Sequence, residues 1–294
     1  MISETTLSSW TAPSSLSEQE KQDRTERMIR DAVNAHPAFS GCRLSVYAKG
    51  SYANNTNVRA DSDVDVAVEC LEVEYWEEDE PGLHTPGARY TGPWTPSLLR
   101  AELTAALQAK FAGQVDTSGS VAIQVTSSTA RVDADVVPCF TFRRYGAGGG
   151  LRTGTKIFSQ TGAQIVNFPA QQLENGRSKN VRTGYGYKKA TRILKRVENE
   201  MVALAAHRDL PSYFVECLAY NCPDAVFKRA TWTDVVRGCL GHMWESLQGE
   251  EPSDTSVRWL EANECFYLFH PGQKWSRSDG REFALAAWKY LGFA

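Results

Sequence analysis

The sequence predicts an α+β fold, a mixed sheet lobe followed by a helical lobe. Three observations carry this. Apolar and polar residues alternate with a period of two in Leu44–Lys49, Val64–Val68, Val121–Val125 and Arg131–Val136. Beyond Asn167-Phe168-Pro169 and Glu174-Asn175-Gly176, apolar residues instead recur at helical spacing. With 294 residues, 42% of them hydrophobic, the chain is long enough for two closely packed lobes, expected at 1–165 and 166–294, with an N-terminal helix packing across both.

In chain order, residues up to about Ser15 are Ser/Thr-rich with a proline and read as a loose arm. Ser17 with Glu20 fits a capping box, and Met28, Ile29, Ala32 and Val33 give the helix an apolar face. Strand Leu44–Lys49 runs into Gly50-Ser51, a small-residue turn where backbone N–H groups and the Ser51 hydroxyl could face a phosphate. The polar stretch Tyr52–Ser62 follows, and then a strand carrying Asp63 and Asp65 on one face. Two carboxylates that close repel unless a cation lies between them, and a hard divalent ion shared with substrate phosphates is the usual solution.

Glu69–Pro93 is acidic and aromatic, and reads as the end of the strand plus an exposed, solvated excursion rather than a metal site. Thr95 caps a helix that starts with Pro96 and lines Leu98, Leu99, Leu103 and Leu107 along one side. Gln114–Thr141 reads as strands. There Asp133 and Asp135 share a face, so geometry alone does not choose between them. Gly146–Gly150 is a hairpin tip. Asn175–Thr183 is a polar stretch before a long helix on which Lys188, Arg192 and Lys195 fall on one face, flanked by Lys189 and Arg196. Ser212 is expected to cap the next helix, and Tyr213 could stack on a base. Thr231–Leu247 and Ser278–Leu291 complete the helical lobe.

The GS turn, the D-x-D and the distant Asp135-Val136-Val137-Pro138 together resemble the nucleotidyltransferase superfamily of polymerase-beta-like enzymes. The D-V-x-P ending resembles oligoadenylate synthetases and the cGAS/DncV-like nucleotidyltransferases. The bacterial members of the latter group match better, and Gly50–Arg59 is similar to clade E. The resemblance covers about Ser45 to Phe293. It selects Asp135 as the third carboxylate, with Asp133 behind it. It implies a template-independent synthesis of a cyclic di- or trinucleotide messenger from NTPs in bacterial anti-phage (CBASS) signalling.

On this reading Asp63, Asp65 and Asp135 are catalytic and hold two Mg²⁺ ions, with Mn²⁺ as a substitute. Gly50, Ser51, Lys188, Arg192 and Lys195 anchor the triphosphate. Ser212 and Tyr213 line the nucleotide pocket, which the helical lobe completes. Clade E relatives often take uridine through an asparagine between the sheet and the basic helix. Asn167 and Asn180 are the candidates here, with Asn180 preferred because Lys179-Asn180 precedes that helix. The expected partners are UTP and ATP as substrates and an effector that binds the product, and the protein is expected to be a monomer.

Composition excludes other classes. A net charge of −3 argues against a broad sequence-independent footprint on duplex nucleic acid. No apolar stretch approaches the roughly 20 residues of a membrane span, and Met1-Ile2-Ser3-Glu4 does not start a signal peptide. Seven scattered cysteines without zinc spacing read as buried thiols in a reduced, cytoplasmic chain. Two rivals stay open: an enzyme making linear oligonucleotides or modifying an acceptor, and an inactive nucleotide-binding module. The presence of all three carboxylates weighs against the second.

Overall fold

The computed structural model describes residues 2–58 and 63–293. The part of the central motif at Arg59–Ser62 lies outside the described residues. In order, the elements are α1 (Glu4–Ser9), α2 (Leu16–Ala35), β1 (Leu44–Lys49), α3 (Gly50–Ala53), β2 (Val64–Glu78), α4 (Pro96–Lys110), β3 (Val115–Asp116), β4 (Ile123–Val125), β5 (Ala134–Gly146), β6 (Gly150–Phe158), β7 (Gln164–Asn167), α5 (Pro169–Arg182), α6 (Gly186–Ala203), α7 (Ser212–Tyr220), α8 (Trp232–Ser246) and α9 (Arg277–Leu291). The chain divides into two compact units. The sheet unit holds Leu16–Tyr52 and Arg59–Pro169. The helical unit holds Met1–Ser15, Ala53–Val58 and Ala170–Ala294.

Among the described residues the sheet unit has seven strands, in the order β1-β2-β5-β4-β3, with β6 pairing β5 and β7 pairing β6. β2 and β5 run parallel, and the other pairs run antiparallel. The alternation in β2 and β5 sorts their side chains onto two faces. Val64, Val66 and Val68 with Ala134 and Val136 pack against Ile29 and Val33 of α2 and Leu99, Leu103 and Leu107 of α4. Ala67, Val137 and Cys139 on the opposite face form a small cluster with Ile157. Thr95 caps α4 through Leu98 N–H, with Pro96 in the first turn, as its sequence indicates.

The acidic tract is the end of the strand followed by an exposed excursion, as expected, but the strand portion is long. β2 continues through it to Glu78, after a register break between Cys70 and Glu74. Cross-strand cations make this possible: Arg143 pairs Glu74 at 2.8 Å, Arg144 pairs Asp79 at 2.8 Å and Lys156 approaches Glu77 at 3.4 Å. The β5–β6 hairpin turns at Gly146–Gly150 as expected.

In the helical unit a core of Tyr187, Ile193, Leu194, Val197, Phe214, Leu218, Leu240, Met243 and Phe283 is fully buried. Four expectations are corrected. The N-terminal arm is not loose: Ser3 caps α1, and Leu7 is buried in this core. The polar stretch Asn175–Thr183 belongs almost wholly to α5. Ser17 lies inside α2, which begins at Leu16, and Pro211 rather than Ser212 occupies the N-cap position of α7.

Candidate active site

In the sheet unit, the parallel register sets Asp65 beside Asp135, Lys49 of β1 opposite Asp65 and Gln124 of β4 opposite Asp135. Asp65 and Asp135 are half-buried, whereas Asp63, just before β2, is exposed. Asp133 is spent differently, since its Oδ1 accepts the Ser127 backbone N–H. The structure therefore separates two carboxylates that the strand period leaves equivalent. Burial pushes the Asp135 carboxyl above the ordinary carboxylate range, and the nearby Asp65 and Asp133 charges add to this against Lys49.

β1 enters the site through Gly50. Its φ of +69° suits glycine, and a Cβ there would collide with the Asp65 carboxylate. The turn thus lies against the carboxylate, and Ser51 and Tyr52 follow in the single turn of α3. The Tyr52 hydroxyl ties that turn to α2 by donating to Asp23.

Among the described residues, no three His, Cys, Asp or Glu side chains are gathered into a cluster able to hold a metal ion by themselves. The donor set nevertheless fits Mg²⁺. It is all hard oxygen, it concentrates negative charge at Asp65 and Asp135, and Mg²⁺ ordinarily takes one or two carboxylates and completes its shell with water and substrate phosphate.

The helical unit holds the segment Ala53–Val58, and every polar residue from Asn54 to Asn57 is tied within it. Asn54 Nδ2 and Thr56 Oγ1 donate to Glu216 at 2.8 and 2.5 Å. The Asn55 carbonyl accepts from Arg192 Nη1 at 2.6 Å, and Asn57 Nδ2 donates to Ser14 Oγ at 2.5 Å. Lys195 Nζ donates to Glu216 at 2.9 Å, and Gln172 Nε2 does so at 3.0 Å. Lys195 and Glu216 are 2% and 1% exposed. Arg192 also donates to the Thr11 carbonyl at 2.7 Å, and its pKa is pushed down to about 10 by burial, with Arg196 adding.

A search of known proteins places these features. A profile described as the cGAS/DncV-like nucleotidyltransferase C-terminal helical domain matches residues 174–292. A cyclic dipyrimidine nucleotide synthase, CdnE, of Legionella pneumophila is 35% identical over 295 residues, covering 98% of this chain and 97% of that protein. The chain belongs to the cGAS/DncV-like nucleotidyltransferases. A cyclic dipurine nucleotide synthase of Elizabethkingia meningoseptica is 30% identical over 99% of both chains. The solved structure of the Rhodothermus marinus CdnE c-UMP-AMP synthase with Apcpp and Upnpp superposes with a TM-score of 0.84 at 27% identity, over 99% of this chain and 98% of that one.

Within this cGAS/DncV-like framework, the basic helix face expected from the sequence divides in two. Arg192 and Lys195 spend their donors on the Ala53–Val58 segment and its anchor. Lys188 is half-buried, and its ammonium makes no hydrogen bond among the described residues. Its pKa is lowered by burial first, with Glu216 opposing and Arg177 and Arg192 adding. Asn180 caps α6, its Oδ1 accepting Lys188 N–H at 3.1 Å. Asn167 ends β7, paired with Thr155, and is half-buried. Ser212 is exposed in the first turn of α7. Tyr213 donates to Glu261 at 3.1 Å and lies edge-on to Trp275, so its ring is part of the helical packing.

The residue that the sequence reading left out is Glu216. It stands in an apolar helical run, between Phe214-Val215 and Cys217-Leu218. A charge inside such a run is the signal that could have found it, because a buried carboxylate requires a partner.

Proposed function

We propose that this protein joins nucleoside triphosphates into a cyclic di- or trinucleotide messenger, releasing pyrophosphate at each transfer. At least one of the nucleotides is a pyrimidine, UTP first. The observation that carries the reading is the register pairing of Asp65 with Asp135, with Gly50 closed against Asp65. Full-length similarity to CdnE synthases supports the cyclic product. Similarity alone leaves the bases open, since relatives of comparable identity are named for dipyrimidine and dipurine products.

Asp63, Asp65 and Asp135 are the residues that would hold Mg²⁺. The bound ions would supply charge stabilisation for the attacking and leaving oxygens and lower the pKa of the attacking ribose hydroxyl. Gly50 and Ser51 orient phosphate through backbone N–H groups and a hydroxyl. Of Lys188, Arg192 and Lys195, Lys188 is the one whose ammonium is not engaged by the Ala53–Val58 segment or Glu216, and it serves the phosphates. For base selection an asparagine offers both an acceptor and a donor to a uracil edge. Asn167 fits this better than Asn180, whose carbonyl oxygen already serves α6. The product would be read by an effector in anti-phage signalling in the cytoplasm.

The test is incubation of the purified protein with the four NTPs and Mg²⁺, each omitted in turn, with the product identified by mass spectrometry after phosphatase treatment. A phosphatase-resistant product containing a pyrimidine is expected. A phosphatase-sensitive product would move the reading to a linear oligonucleotide, and exclusive use of ATP and GTP would remove the pyrimidine.

A further inference from the structure

We propose that Glu216 is a positioning residue for nucleotidyl transfer. With Lys195 it grips Asn54 and Thr56, and so holds the segment that joins the Gly50-Ser51 turn to the Asp63 and Asp65 strand. The proposal rests on the nucleotidyltransferase reading above and names a residue outside the carboxylates and the phosphate contacts.

The physical argument begins with α3. One helical turn fixes several backbone dihedrals for very few hydrogen bonds and does not hold itself in water. The turn that presents Ser51 must therefore be fixed by its flanks. On one side Gly50 closes against Asp65. On the other side Asn54 follows α3 directly, and its amide is clasped between Glu216 and the backbone of α5. The close approach at α5 needs Gly176, where a Cβ would lie 2.7 Å from Asn54 Oδ1 and 2.9 Å from Nδ2. Asn55 then turns the chain with a left-handed φ of +53°, a conformation that non-glycine residues adopt rarely, and Arg192 takes its carbonyl. Thr56 completes the grip on the second Glu216 oxygen.

The chemistry of the knot points away from a purely cohesive role. A buried ion pair is seldom more stabilising than apolar residues of the same volume, because both charges lose their hydration. It does discriminate sharply between one arrangement of hydrogen bonds and all others. The Glu216 carboxylate accepts four donors from three parts of the chain: Asn54 and Thr56, Gln172 of α5 and Lys195 of α6. Two of the four come from the segment between the phosphate turn and the carboxylate strand. A carboxylate satisfied in this way fixes where that segment runs, and a small misplacement of catalytic groups costs rate more than binding.

The test uses Thr56→Val, which keeps the shape and the Lys195–Glu216 pair but removes the hydroxyl that donates to Glu216 and accepts from Lys195 Nζ at 3.3 Å, and Thr56→Ser, which restores it. Measurements are NTP turnover, KM, melting temperature and hydrogen exchange of the peptide spanning 53–58. We expect Thr56→Val to lose about ten- to a hundredfold in kcat, as for the loss of one hydrogen bond to a charged group. KM should stay near wild type and the melting temperature should fall only by a few degrees, exchange at 53–58 should be faster while α7–α9 stay protected, and Thr56→Ser should recover most of the rate. Asn54→Ala serves with the same readouts if Thr56→Val does not fold. A folded Thr56→Val with wild-type kcat overturns the proposal. So does a lowered melting temperature with an unchanged rate per folded molecule, or equal damage in Thr56→Ser. If the wild-type chain releases no pyrophosphate from any NTP, the functional reading itself has failed and this proposal goes with it.

Discussion

Asp135, half-buried, and Glu216, fully buried, are carboxylates in different units, and their surroundings treat them in opposite ways. Around Asp135 the protein supplies burial, Asp65 and Asp133, which together outweigh Lys49 and raise its pKa. Around Glu216 burial also acts to raise the pKa, but Lys195 foremost, with hydrogen bonds from Thr56, Lys195 and Gln172, brings it below the ordinary value. One site concentrates negative charge, and the other neutralises it completely with the protein's own groups. The opposite directions of the two shifts are what we expect if Asp135 serves chemistry and Glu216 serves construction.

The largest expected effect lies on the chemical side of that comparison. Asp63→Asn with Asp65→Asn should leave no detectable product while circular dichroism shows an unchanged fold. Retained turnover in the folded variant would show that the carboxylates are not the reacting site. Next, Asp135→Asn should impair turnover far more than Asp133→Asn, whose carboxylate serves the Ser127 amide. A reversed order of rates would exchange the two roles.

On the constructional side, Lys195→Met leaves Glu216 buried without its cation and should cost about 3–5 kcal/mol in urea unfolding. The double variant Lys195→Met/Glu216→Leu removes the unpaired charge and should recover part of that stability, less what the orphaned Asn54, Thr56 and Gln172 donors cost. Equal losses in both would show that the pair is not coupled as drawn. Gly176→Ala should cost roughly 1–3 kcal/mol, because the added methyl meets the clasped Asn54 amide. A neutral result would mean that the amide has room to retreat.

The smallest effect is in pH. The folded pKa of Glu216 lies below its ordinary value of 4.5, so the folded state binds this proton less readily than the unfolded chain does. Its contribution to stability is fully present above about pH 4.5 and is lost as pH falls through the lowered folded value. Stability titrated across this window should fall less steeply in Glu216→Gln than in wild type, and identical slopes would exclude Glu216 as a source of the acid sensitivity.

What the sequence made legible was what local chemistry dictates. β1, the D-x-D strand, the capped α4 and the β5–β6 hairpin follow from periods of two and 3.6 and from turn and cap residues. The extension of β2 was hidden because Glu74, Glu77 and Asp79 look solvated until Arg143, Lys156 and Arg144 arrive from strands far along the chain. α5 was hidden by Gly176 and by polar residues whose partners are tertiary, such as Asn175 with the Ala262 carbonyl and Lys179 with Asp224. For the candidate site, spacing found the carboxylates and the turn. It could not apportion the basic face of α6, since a lysine facing phosphate and a lysine facing Glu216 have the same periodicity.

The assignment of Ala53–Val58 to the helical unit has a consequence for synthesis on the ribosome. The chain emerges from its N-terminus, and domains fold as their residues become available. β1, the turn and the D-x-D strand are all translated long before Glu216, and the parallel partner of that strand, β5, comes only in mid-chain. Until α5, α6 and α7 have emerged, Asn54, Thr56 and the Asn55 carbonyl have none of their helical partners. A nascent chain or a truncated fragment therefore carries Asp63 and Asp65 without the grip on the segment that joins them to the Gly50-Ser51 turn.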